Sequence, residues 1–279
     1  ISIECNPGTV TEAKLRKYLA SGINRLSIGL QSGDNEELKL LGRIHTYEQF
    51  LKTYELARSV GFNNINIDII SGLPYQTARK YGETLQKVIR LKPEHVSAYS
   101  LIIEKNTPFY SMYKFDMVKQ EAGMKPDILP HEDEVYRMYK ATQQILGENG
   151  YQQYEISNFA KKGYECRHNI GYWTRTNYLG LGLGAASLIE NVRCTNTRDV
   201  YKYISGSENI IETTPVERKE QMEEFMFLGL RMNKGVSRYD FEHEFGIQIE
   251  AIYKEQIDEL RREALMDAKA GYIFLTDKG

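Results

Sequence analysis

Apolar and polar positions follow two different periods in turn along roughly the first hundred residues. Four short segments have the residue types and alternation of β-strands: Ser2–Cys5, Arg25–Gln31, Asn64–Ser71 and His95–Glu104. The stretches between or after them have the spacing of amphipathic helices, at Thr11–Ser21, Glu36–Leu41, Tyr47–Val60 and Thr77–Leu91. This order of strands and helices predicts a parallel sheet with right-handed crossovers.

The polar positions within these strands favour a barrel over a flat sheet. Residues of the second strand alternate between an apolar and a polar set, which are Leu26, Ile28 and Leu30 against Ser27, Gly29 and Gln31. A doubly wound sheet is apolar on both faces, whereas a barrel that holds a ligand inside is apolar outside and polar inside. We therefore predict an α/β fold containing an incomplete barrel.

Three of the inward polar residues come from three successive predicted strands. Glu4, Gln31 and Asp68 would all lie toward the carboxyl ends of their strands, where barrel enzymes place their sites. Carboxylates accept hydrogen bonds from ammonium and hydroxyl groups, so this set suits an amino-acid moiety or a ribose. The alternative is that each side chain satisfies a nearby backbone group or loop.

The middle of the chain is less regular. A helix is predicted over His131–Asn149, followed by a strand and loop at Tyr151–Ala160, whereas Asn106–Pro130 has no assignable pattern. The segment Tyr178–Ser187 is rich in glycine but lacks the spacing of a nucleotide-binding loop. Its alternation of Gly and Leu predicts a strand that lines the mouth of the barrel.

A second domain is predicted to begin after residue 212. Thr213-Thr214-Pro215 is typical of a boundary, and three helical patterns and a strand at Tyr272–Leu275 follow it in the order of a winged helix. We therefore predict a barrel domain over 1–212 and a winged-helix-like domain over 213–279. From Glu217 onward, ten Lys and Arg stand against fourteen Asp and Glu. Because duplex DNA is bound through its phosphates, this acidic balance predicts no nucleic-acid partner.

Composition narrows the class of protein further. The chain has 279 residues, of which 41% are hydrophobic, and a formal net charge of −2. Its mean hydropathy is −0.50, and no apolar run approaches the ~18 residues of a membrane-spanning helix. Cys5, Cys166 and Cys194 are odd in number and far apart, which argues against disulfides. The sequence thus predicts a cytoplasmic protein with no integral membrane segment.

One histidine lies close to aromatic residues, in the string Cys166-Arg167-His168-Asn169-Ile170-Gly171-Tyr172-Trp173. A neutral imidazole such as that of His168 is a good axial ligand for haem iron. Tyr172 and Trp173 have flat apolar faces that suit a porphyrin. The alternatives are a structural histidine in a core, or a thiolate ligand from Cys166, although C-x-H is not the C-x-x-C-H of covalently attached haem.

Four strings indicate a resemblance to a known family. They are Glu4-Cys5-Asn6-Pro7-Gly8, Gly22-Ile23-Asn24-Arg25-Leu26-Ser27-Ile28-Gly29-Leu30-Gln31-Ser32, Leu41-Gly42-Arg43-Ile44-His45 and Asn66-Ile67-Asp68-Ile69-Ile70-Ser71-Gly72-Leu73-Pro74. In this order they resemble the radical S-adenosylmethionine family of oxygen-independent coproporphyrinogen oxidase, and the resemblance covers nearly the whole chain. His168-Asn169 followed by Tyr172-Trp173 resembles the hallmark of its HemW-type haem chaperone branch. One departure is Ala186, where the family often has His.

The resemblance implies the residues of a cofactor site. Glu4, Gln31, Arg43 and Asp68 match the family's adenosylmethionine-contacting positions. Arg43 would face the carboxylate of the cofactor as a bidentate cation. Its alternative is a helix-end cation paired with a glutamate of the preceding helix, either Glu36 or Glu37. No residue of the chain is assigned a catalytic role.

The family's [4Fe–4S] cluster is held by a C-x3-C-x2-C loop that this chain lacks. Three thiolates are the minimum for such a cluster, and only Cys5 lies in the barrel portion. We therefore expect the chain to be the back part of a longer protein that binds the cluster and adenosylmethionine. We also expect these 279 residues to be inactive alone.

The resemblance further implies a haem chaperone. His168 would ligate the haem iron with Tyr172 and Trp173 against the porphyrin, and the haem would pass to an unidentified acceptor protein. The first alternative is the oxidase itself, which decarboxylates two propionates of coproporphyrinogen III to give protoporphyrinogen IX. A regulator that acts through the winged helix is the second alternative.

Overall fold

A computed structural model describes every residue from Ile1 to Gly279. The chain forms two compact units, Ile1–Glu165 and Cys166–Gly279. The domain boundary predicted at residue 213 lies inside the second unit and stays a prediction. No helix in either unit has the length and apolar character that a membrane crossing requires.

The first unit alternates strands and helices as predicted. Its elements are β1 Ser2–Cys5, α1 Glu12–Ala20, β2 Arg25–Gln31, α2 Asn35–Leu40, α3 Tyr47–Val60, β3 Ile65–Ser71, α4 Ala78–Leu91, β4 His95–Ser100, α5 Pro108–Glu121, α6 Glu132–Glu148, β5 Gln152–Gln153 and β6 Asn158–Ala160. They form one sheet in the order β1-β2-β3-β4-β6-β5. The first four strands pair in parallel, and β6 pairs antiparallel with both β4 and β5. The predicted α/β fold with a parallel sheet is confirmed, although β4 ends at Ser100 rather than at Glu104.

Threonine caps begin four of these helices, α1, α3, α4 and α5. The side chains of Thr11, Thr46 and Thr77 each accept a hydrogen bond from a backbone N–H in the first turn of α1, α3 and α4. Such a cap satisfies a backbone donor that the helix itself cannot, and its loss costs about 1 kcal/mol. At Gly61 the chain leaves α3 with φ of 109°, a left-handed conformation that glycine adopts at little cost.

The core of the first unit lies between the sheet and its helices. Leu26, Ile28 and Leu30 of β2 are fully buried, and they pack with Phe50 of α3 and Tyr81 of α4 in one cluster. Burying each such side chain contributes roughly 1.5–3 kcal/mol. This packing confirms that the apolar residues of the strands face the helices. The polar residues of the same strands therefore lie on the opposite face of the sheet.

Helix α5 lies within Asn106–Pro130, the segment that had no assignable pattern. Thr107 caps its first turn, and Pro108 occupies the first helical position, where the missing N–H is not needed. The buried carboxylate of Asp116 accepts hydrogen bonds from the backbone N–H groups of Asp127, Ile128 and Leu129, at 3.1, 2.6 and 2.8 Å. The loop after α5 is therefore fixed by one side chain of the helix.

The second unit combines two small antiparallel sheets with five helices. Its elements are α7 Arg167–Trp173, β7 Ala186–Ile189, β8 Val192–Asn196, α8 Val200–Ser205, β9 Ile210–Pro215, α9 Arg218–Gly229, β10 Val236–Ser237, α10 Arg238–Phe245, α11 Ile249–Arg262, β11 Met266–Lys269 and β12 Tyr272–Leu275. The sheets have the orders β7-β8-β9 and β10-β12-β11. Helices α9, α10 and α11 with the β11–β12 hairpin form the predicted winged-helix-like arrangement. Phe241, Phe245 and Ile249 are at its core.

The glycine-rich segment differs from its prediction. Residues 178–185 form a loop of the second unit and β7 begins only at Ala186, so the strand predicted over Tyr178–Ser187 is wrong except for its last two residues. Gly182 and Gly184 have φ of 100° and 64°, which break an extended strand. A Cβ on Gly180 would lie 2.1 Å from the carbonyl oxygen of Ala186, so the loop folds tightly against the start of β7.

Candidate functional site

The carboxyl ends of the parallel strands bring two of the predicted acidic residues together. Glu4 of β1 is in register with Ser27 of β2, and Asp68 of β3 is in register with Gly29. The Ser27 hydroxyl donates to Asp68 Oδ2 at 2.9 Å. Burial raises the pKa of Asp68, hydrogen bonds oppose that rise, and the negative charge of Glu4 adds to it. Glu4 and Asp68 are thus close enough to interact, with Glu4 exposed at the rim.

Asp68 is also the end of a chain of buried hydrogen bonds across β3 and β4. Asn66 Nδ2 donates to Asp68 Oδ1 at 2.8 Å, and Asn66 Oδ1 lies 2.5 Å from Nδ1 of His95. On the far side, His95 Nε2 lies 2.8 Å from the Tyr154 hydroxyl. Because the Asn66 amide donates toward Asp68, its oxygen accepts from His95, which assigns the proton to Nδ1 of the ring.

The protonation state of His95 follows from its surroundings. Burial, followed by the positive charge of Arg25, lowers the pKa of His95 to about 3. The ring is therefore neutral near pH 7, with one nitrogen donating and the other accepting. With a neutral ring, all three hydrogen bonds run in one direction. The Tyr154 hydroxyl donates to His95, His95 donates to Asn66, and Asn66 donates to the Asp68 carboxylate.

Gln31 ends β2 in an unusual backbone conformation. Its φ is 70°, and the register with β3 shifts between Gly29 and Gln31. A Cβ on Gly29 would lie 2.6 Å from Nε2 of Gln31 and 3.7 Å from Oδ1 of Asn6. The Gln31 amide therefore lies directly over Gly29, with the Asn6 side chain in contact range, and a larger residue at this position would displace the Gln31 amide.

Arg43 joins the same group through Asn6. Its Nη1 lies 3.5 Å from Asn6 Oδ1, at the limit of a hydrogen bond. The alternative pairing of Arg43 with the helix glutamates is not formed, because Glu36 pairs with Lys39 and Glu37 accepts from Ser32 and Gln76. The guanidinium therefore faces the end of the sheet.

These side chains are chemically suited to a small zwitterionic ligand with hydroxyl groups. Glu4 and Asp68 supply carboxylates for an ammonium group or for hydroxyls, and Arg43 supplies a planar cation for a carboxylate. The amides of Asn6 and Gln31 add both donors and acceptors. The raised pKa of Asp68 means that a nearby cation or donor would stabilise its charged form.

The residues present do not fit an iron–sulfur cluster. Burial, with the nearby charge of Asp68, raises the pKa of Cys5 to about 11, so its thiol is protonated near neutral pH. Cys166 and Cys194 belong to the second unit. No three His, Cys, Asp or Glu side chains in the chain are grouped so that they could hold a metal ion.

The second candidate site is a row of aromatic rings that begins on α7. His168 and Tyr172 are one helical turn apart, and their ring centroids lie 4.8 Å from each other in an edge-to-face contact. Tyr178, which follows the helix, contacts Tyr172 in the same manner at 4.7 Å. His168 and Tyr172 are exposed, so a flat ligand can reach the imidazole and the edge of the row.

Trp173 does not share this face of α7. It lies five residues after His168, which is well over a quarter turn away on a helix. The guanidinium carbon of Arg231 lies 4.3 Å from the centre of the Trp173 ring. The same ring borders a cavity of about 380 Å³ that Phe225 and Tyr272 also line. The structure therefore brings His168 and Tyr172 together and directs Trp173 into the winged-helix-like part of the unit.

Cys166, considered above as an iron ligand, and His45, the next candidate imidazole, are both buried. Cys166 precedes α7, and its thiol lies 3.4 Å from the side-chain oxygen of Asn169. His45 lies in the first unit, with Nε2 3.3 Å from the carbonyl oxygen of Leu30. Burial lowers the pKa of His45, the hydrogen bond to the Leu30 carbonyl oxygen opposes this shift, and the charge of Arg43 lowers the pKa further. Neither side chain has the exposure of His168.

Several residues of both sites were not found from the sequence. In the first unit these are Asn6, His95 and Tyr154, whereas Ser27 and Asn66 were placed on the polar faces of their strands but their bonds to Asp68 were not predicted. The alternation of β4 does place His95 and Ser97 on one face, which was an available signal. In the second unit Tyr178 was missed, because its contact with Tyr172 depends on a turn that returns the chain toward α7.

Comparison with known proteins gives a consistent result. Residues 1–88 match the Radical SAM superfamily, and residues 216–279 match the HemN C-terminal domain. The Heme chaperone HemW of Lactococcus lactis subsp. lactis (strain IL1403) is 38% identical over 280 residues, covering 100% of this chain and 72% of that protein. The Heme chaperone HemW of Escherichia coli (strain K12) is 34% identical over 284 residues, covering 100% of this chain and 71% of that protein.

A solved structure supports the fold independently of close sequence similarity. Coproporphyrinogen III oxidase (HemN) from Escherichia coli, which is described as a radical SAM enzyme, superimposes with a TM-score of 0.80 at 23% identity. The match covers 100% of this chain and 66% of that protein. This chain therefore corresponds to about two thirds of a protein with the same fold.

Proposed function

The chain belongs to the family of the heme chaperone HemW, and from that premise we propose that the protein binds haem and transfers it to an acceptor protein in the cytoplasm. The observation that carries the proposal is the exposed His168 imidazole, whose ring centroid lies 4.8 Å from that of Tyr172 on one face of α7. An exposed ligand beside an aromatic edge suits a cargo that has to be released again. A deeply enclosed haem would instead be retained.

Each residue of the haem motif has a separate role in this proposal. His168 ligates the iron, and Tyr172 contacts the porphyrin through its ring. Trp173 was predicted from the sequence to contact the porphyrin as well. Its packing under Arg231 supports a contribution through the position of α7.

The end of the parallel sheet is proposed to hold adenosylmethionine through Glu4, Gln31, Arg43 and Asp68. Once bound together with an iron–sulfur cluster, this cofactor supplies the radical chemistry after which the superfamily is named. The residues fit the amino-acid end and the ribose, since they combine two carboxylates with a guanidinium. Equilibrium dialysis checks the proposal: Glu4→Gln should weaken adenosylmethionine binding, and Glu36→Gln, an exposed carboxylate paired with Lys39, should leave it unchanged.

The haem proposal is tested by titration of the full-length protein, followed in the Soret band. We expect wild-type protein to bind haem and His168→Ala to bind it at least tenfold more weakly, which corresponds to about 1.4 kcal/mol, because alanine cannot replace an iron–nitrogen bond. Tyr172→Ala and Trp173→Ala should show intermediate losses. Cys166→Ser should change the affinity much less.

The chain contains a matched control for His168. Tyr239 and His243 on α10 have the same spacing, and their ring centroids lie 6.0 Å apart on an exposed surface. Replacing His243 with Ala should leave haem affinity unchanged. Equal losses in both variants would show that the haem binds exposed histidines without preference and would overturn the proposal.

The oxidase is distinguished by its product. Anaerobic incubation of the full-length protein with coproporphyrinogen III should yield no protoporphyrinogen IX if the protein is a chaperone. Turnover of that substrate, together with no haem binding by wild-type protein, would replace the chaperone proposal by the enzyme.

A further inference from the structure

Three charged side chains next to the aromatic row carry an unbalanced positive charge. Arg175 Nε and Arg193 Nη2 each lie 3.0 Å from one oxygen of the same carboxylate, that of Glu224. The single negative charge of Glu224 therefore neutralises only one of the two guanidinium charges. In a partly buried place the excess positive charge is poorly compensated by solvent, so a second anion would be attracted to it.

Of the two arginines, only Arg193 is accessible to a ligand. The Arg175 side chain is 5% exposed, and its remaining donors include a 3.0 Å hydrogen bond to Asn191. The Arg193 side chain is 43% exposed. A guanidinium has five N–H donors, so Arg193 keeps donors for a second carboxylate while it holds Glu224.

Tyr178 connects Arg193 to the row that begins at His168. Tyr178 forms a bridge with Leu188, and Leu188 of β7 is directly opposite Arg193 of β8, so all three side chains project from one face of the sheet. Burial works against the charge of Arg193, but hydrogen bonds and charge from Glu224 and the Tyr178 side chain raise the pKa of Arg193. Arg193 is therefore cationic at any physiological pH, beside the ring that contacts Tyr172.

We propose that Arg193 recognises a propionate carboxylate of the porphyrin whose iron is held by His168, with Tyr178 lying between these two contacts. The inference rests on the proposed haem binding and adds a polar edge to the site. A porphyrin is apolar on its faces and carries its two carboxylates on one edge. The His168 imidazole is followed by the rings of Tyr172 and Tyr178 and then by the Arg193 guanidinium. This order matches the iron, the apolar ring and the carboxylate edge of a porphyrin.

Arg167 is the competing cation, since it precedes His168 on α7 and is exposed. It differs from Arg193 in lying at the first residue of the helix, outside the aromatic row. Variants of the two arginines therefore separate the two geometries.

The test compares haem with haem dimethyl ester, which keeps the iron and the ring but has no carboxylates. In the full-length wild-type protein we expect the ester to bind about tenfold more weakly, as befits the loss of a charge-assisted hydrogen bond. Arg193→Gln should bind haem as weakly as the wild type binds the ester, and should no longer distinguish the two ligands. Its Soret spectrum should still show the histidine ligand, since the iron contact is unchanged.

Control variants define the result that would overturn the inference. Arg262→Gln, an exposed arginine on α11, should retain the preference for haem. Equal affinity of the wild type for haem and its ester would refute the carboxylate contact without any variant, so the test does not depend on the folding of Arg193→Gln. Loss of the preference in Arg167→Gln alone would assign the carboxylate to that residue.

The failure of this inference is distinct from the failure of the haem proposal. If His168 binds haem but no preference for the free carboxylates exists, only the polar edge is wrong. If wild-type protein shows no His168-dependent haem binding, the haem proposal itself is wrong. The spectrum of the His168→Ala variant separates these cases before the ester is used.

Discussion

At the scale of single residues, a 2.5 Å hydrogen bond between Asn66 Oδ1 and His95 Nδ1 joins β3 to β4 inside the sheet. Strand alternation predicted Glu4, Gln31 and Asp68 at the strand ends but not this bond. The bond between Asn66 and His95 depends on the register of β3 against β4, which places these two residues opposite each other. Register is fixed by packing over the whole sheet, so a single sequence does not reveal it.

His95 gives a prediction about stability and pH. Its pKa is about 3 in the folded protein and is near 6.5 when the ring is in water, so the folded form has the depressed value. Above pH 6.5 both states are neutral and the stabilisation is fully present. As the pH falls from 6.5 toward 3, the unfolded chain binds a proton that the folded chain does not. Stability should then decrease by about 1.4 kcal/mol per pH unit from this residue.

Amide hydrogen exchange in β3 and β4, corrected for intrinsic rates, measures this dependence. His95→Gln retains an amide for hydrogen bonding but does not titrate, so its free energy of opening should vary less steeply between pH 6.5 and 4. His45, whose pKa is also lowered, is present in both proteins and cancels in the comparison. Parallel pH profiles for the wild type and the variant would show that His95 is accessible to protons in the folded state.

At the scale of elements, α7 shows what a motif does and does not specify. The string from His168 to Trp173 suggested one aromatic surface. Its helical conformation, which the sequence had not assigned, separates the residues onto different faces. His168 and Tyr172 are four apart and meet, whereas Trp173 faces the other way. The strand predicted in the glycine-rich segment after α7 was largely wrong for a related reason. Alternation of Gly and Leu is compatible both with a strand and with a tight loop.

Trp173 is predicted to act mainly as the anchor of α7. Trp173→Ala should lower the free energy of unfolding of the second unit, by less than the ~3–5 kcal/mol of a fully enclosed tryptophan, because the ring already borders a cavity. Thermal unfolding followed by circular dichroism measures this loss. Haem affinity should fall in the same variant, since a loosened helix no longer holds His168 beside Tyr172.

A second variant separates anchoring from direct contact with the porphyrin. Arg231→Gln removes the cation that lies over the Trp173 ring but leaves the ring itself. If Trp173 anchors the helix, this variant should lower both stability and haem affinity, by smaller amounts than Trp173→Ala. Direct stacking on the haem would give a different pair of results. Arg231→Gln would then be stable with unchanged haem affinity, and Trp173→Ala would lose affinity without losing stability.

At the scale of the whole molecule, the sequence predicted the architecture well. The family inferred from four ordered strings is confirmed by HemW relatives at 33–38% identity, and the α/β fold by a TM-score of 0.80. Long strands and long helices were predictable because each carries its own period. The conformations of residues 106–130 and 178–185 were not predictable. They depend on contacts such as those of Asp116 and Asn196 with distant backbone groups.

The last prediction concerns the cluster of the superfamily and the 279 residues taken alone. Three thiolates are needed, but Cys5 is the only cysteine of the first unit, and burial raises its pKa to about 11. Anaerobic reconstitution with iron and sulfide should therefore give this polypeptide no [4Fe–4S] absorption, and Cys5→Ser should behave identically. A form extended at its front by a C-x3-C-x2-C loop should acquire the cluster under the same conditions. A stoichiometric cluster on the 279 residues would show that the cluster site has been placed wrongly.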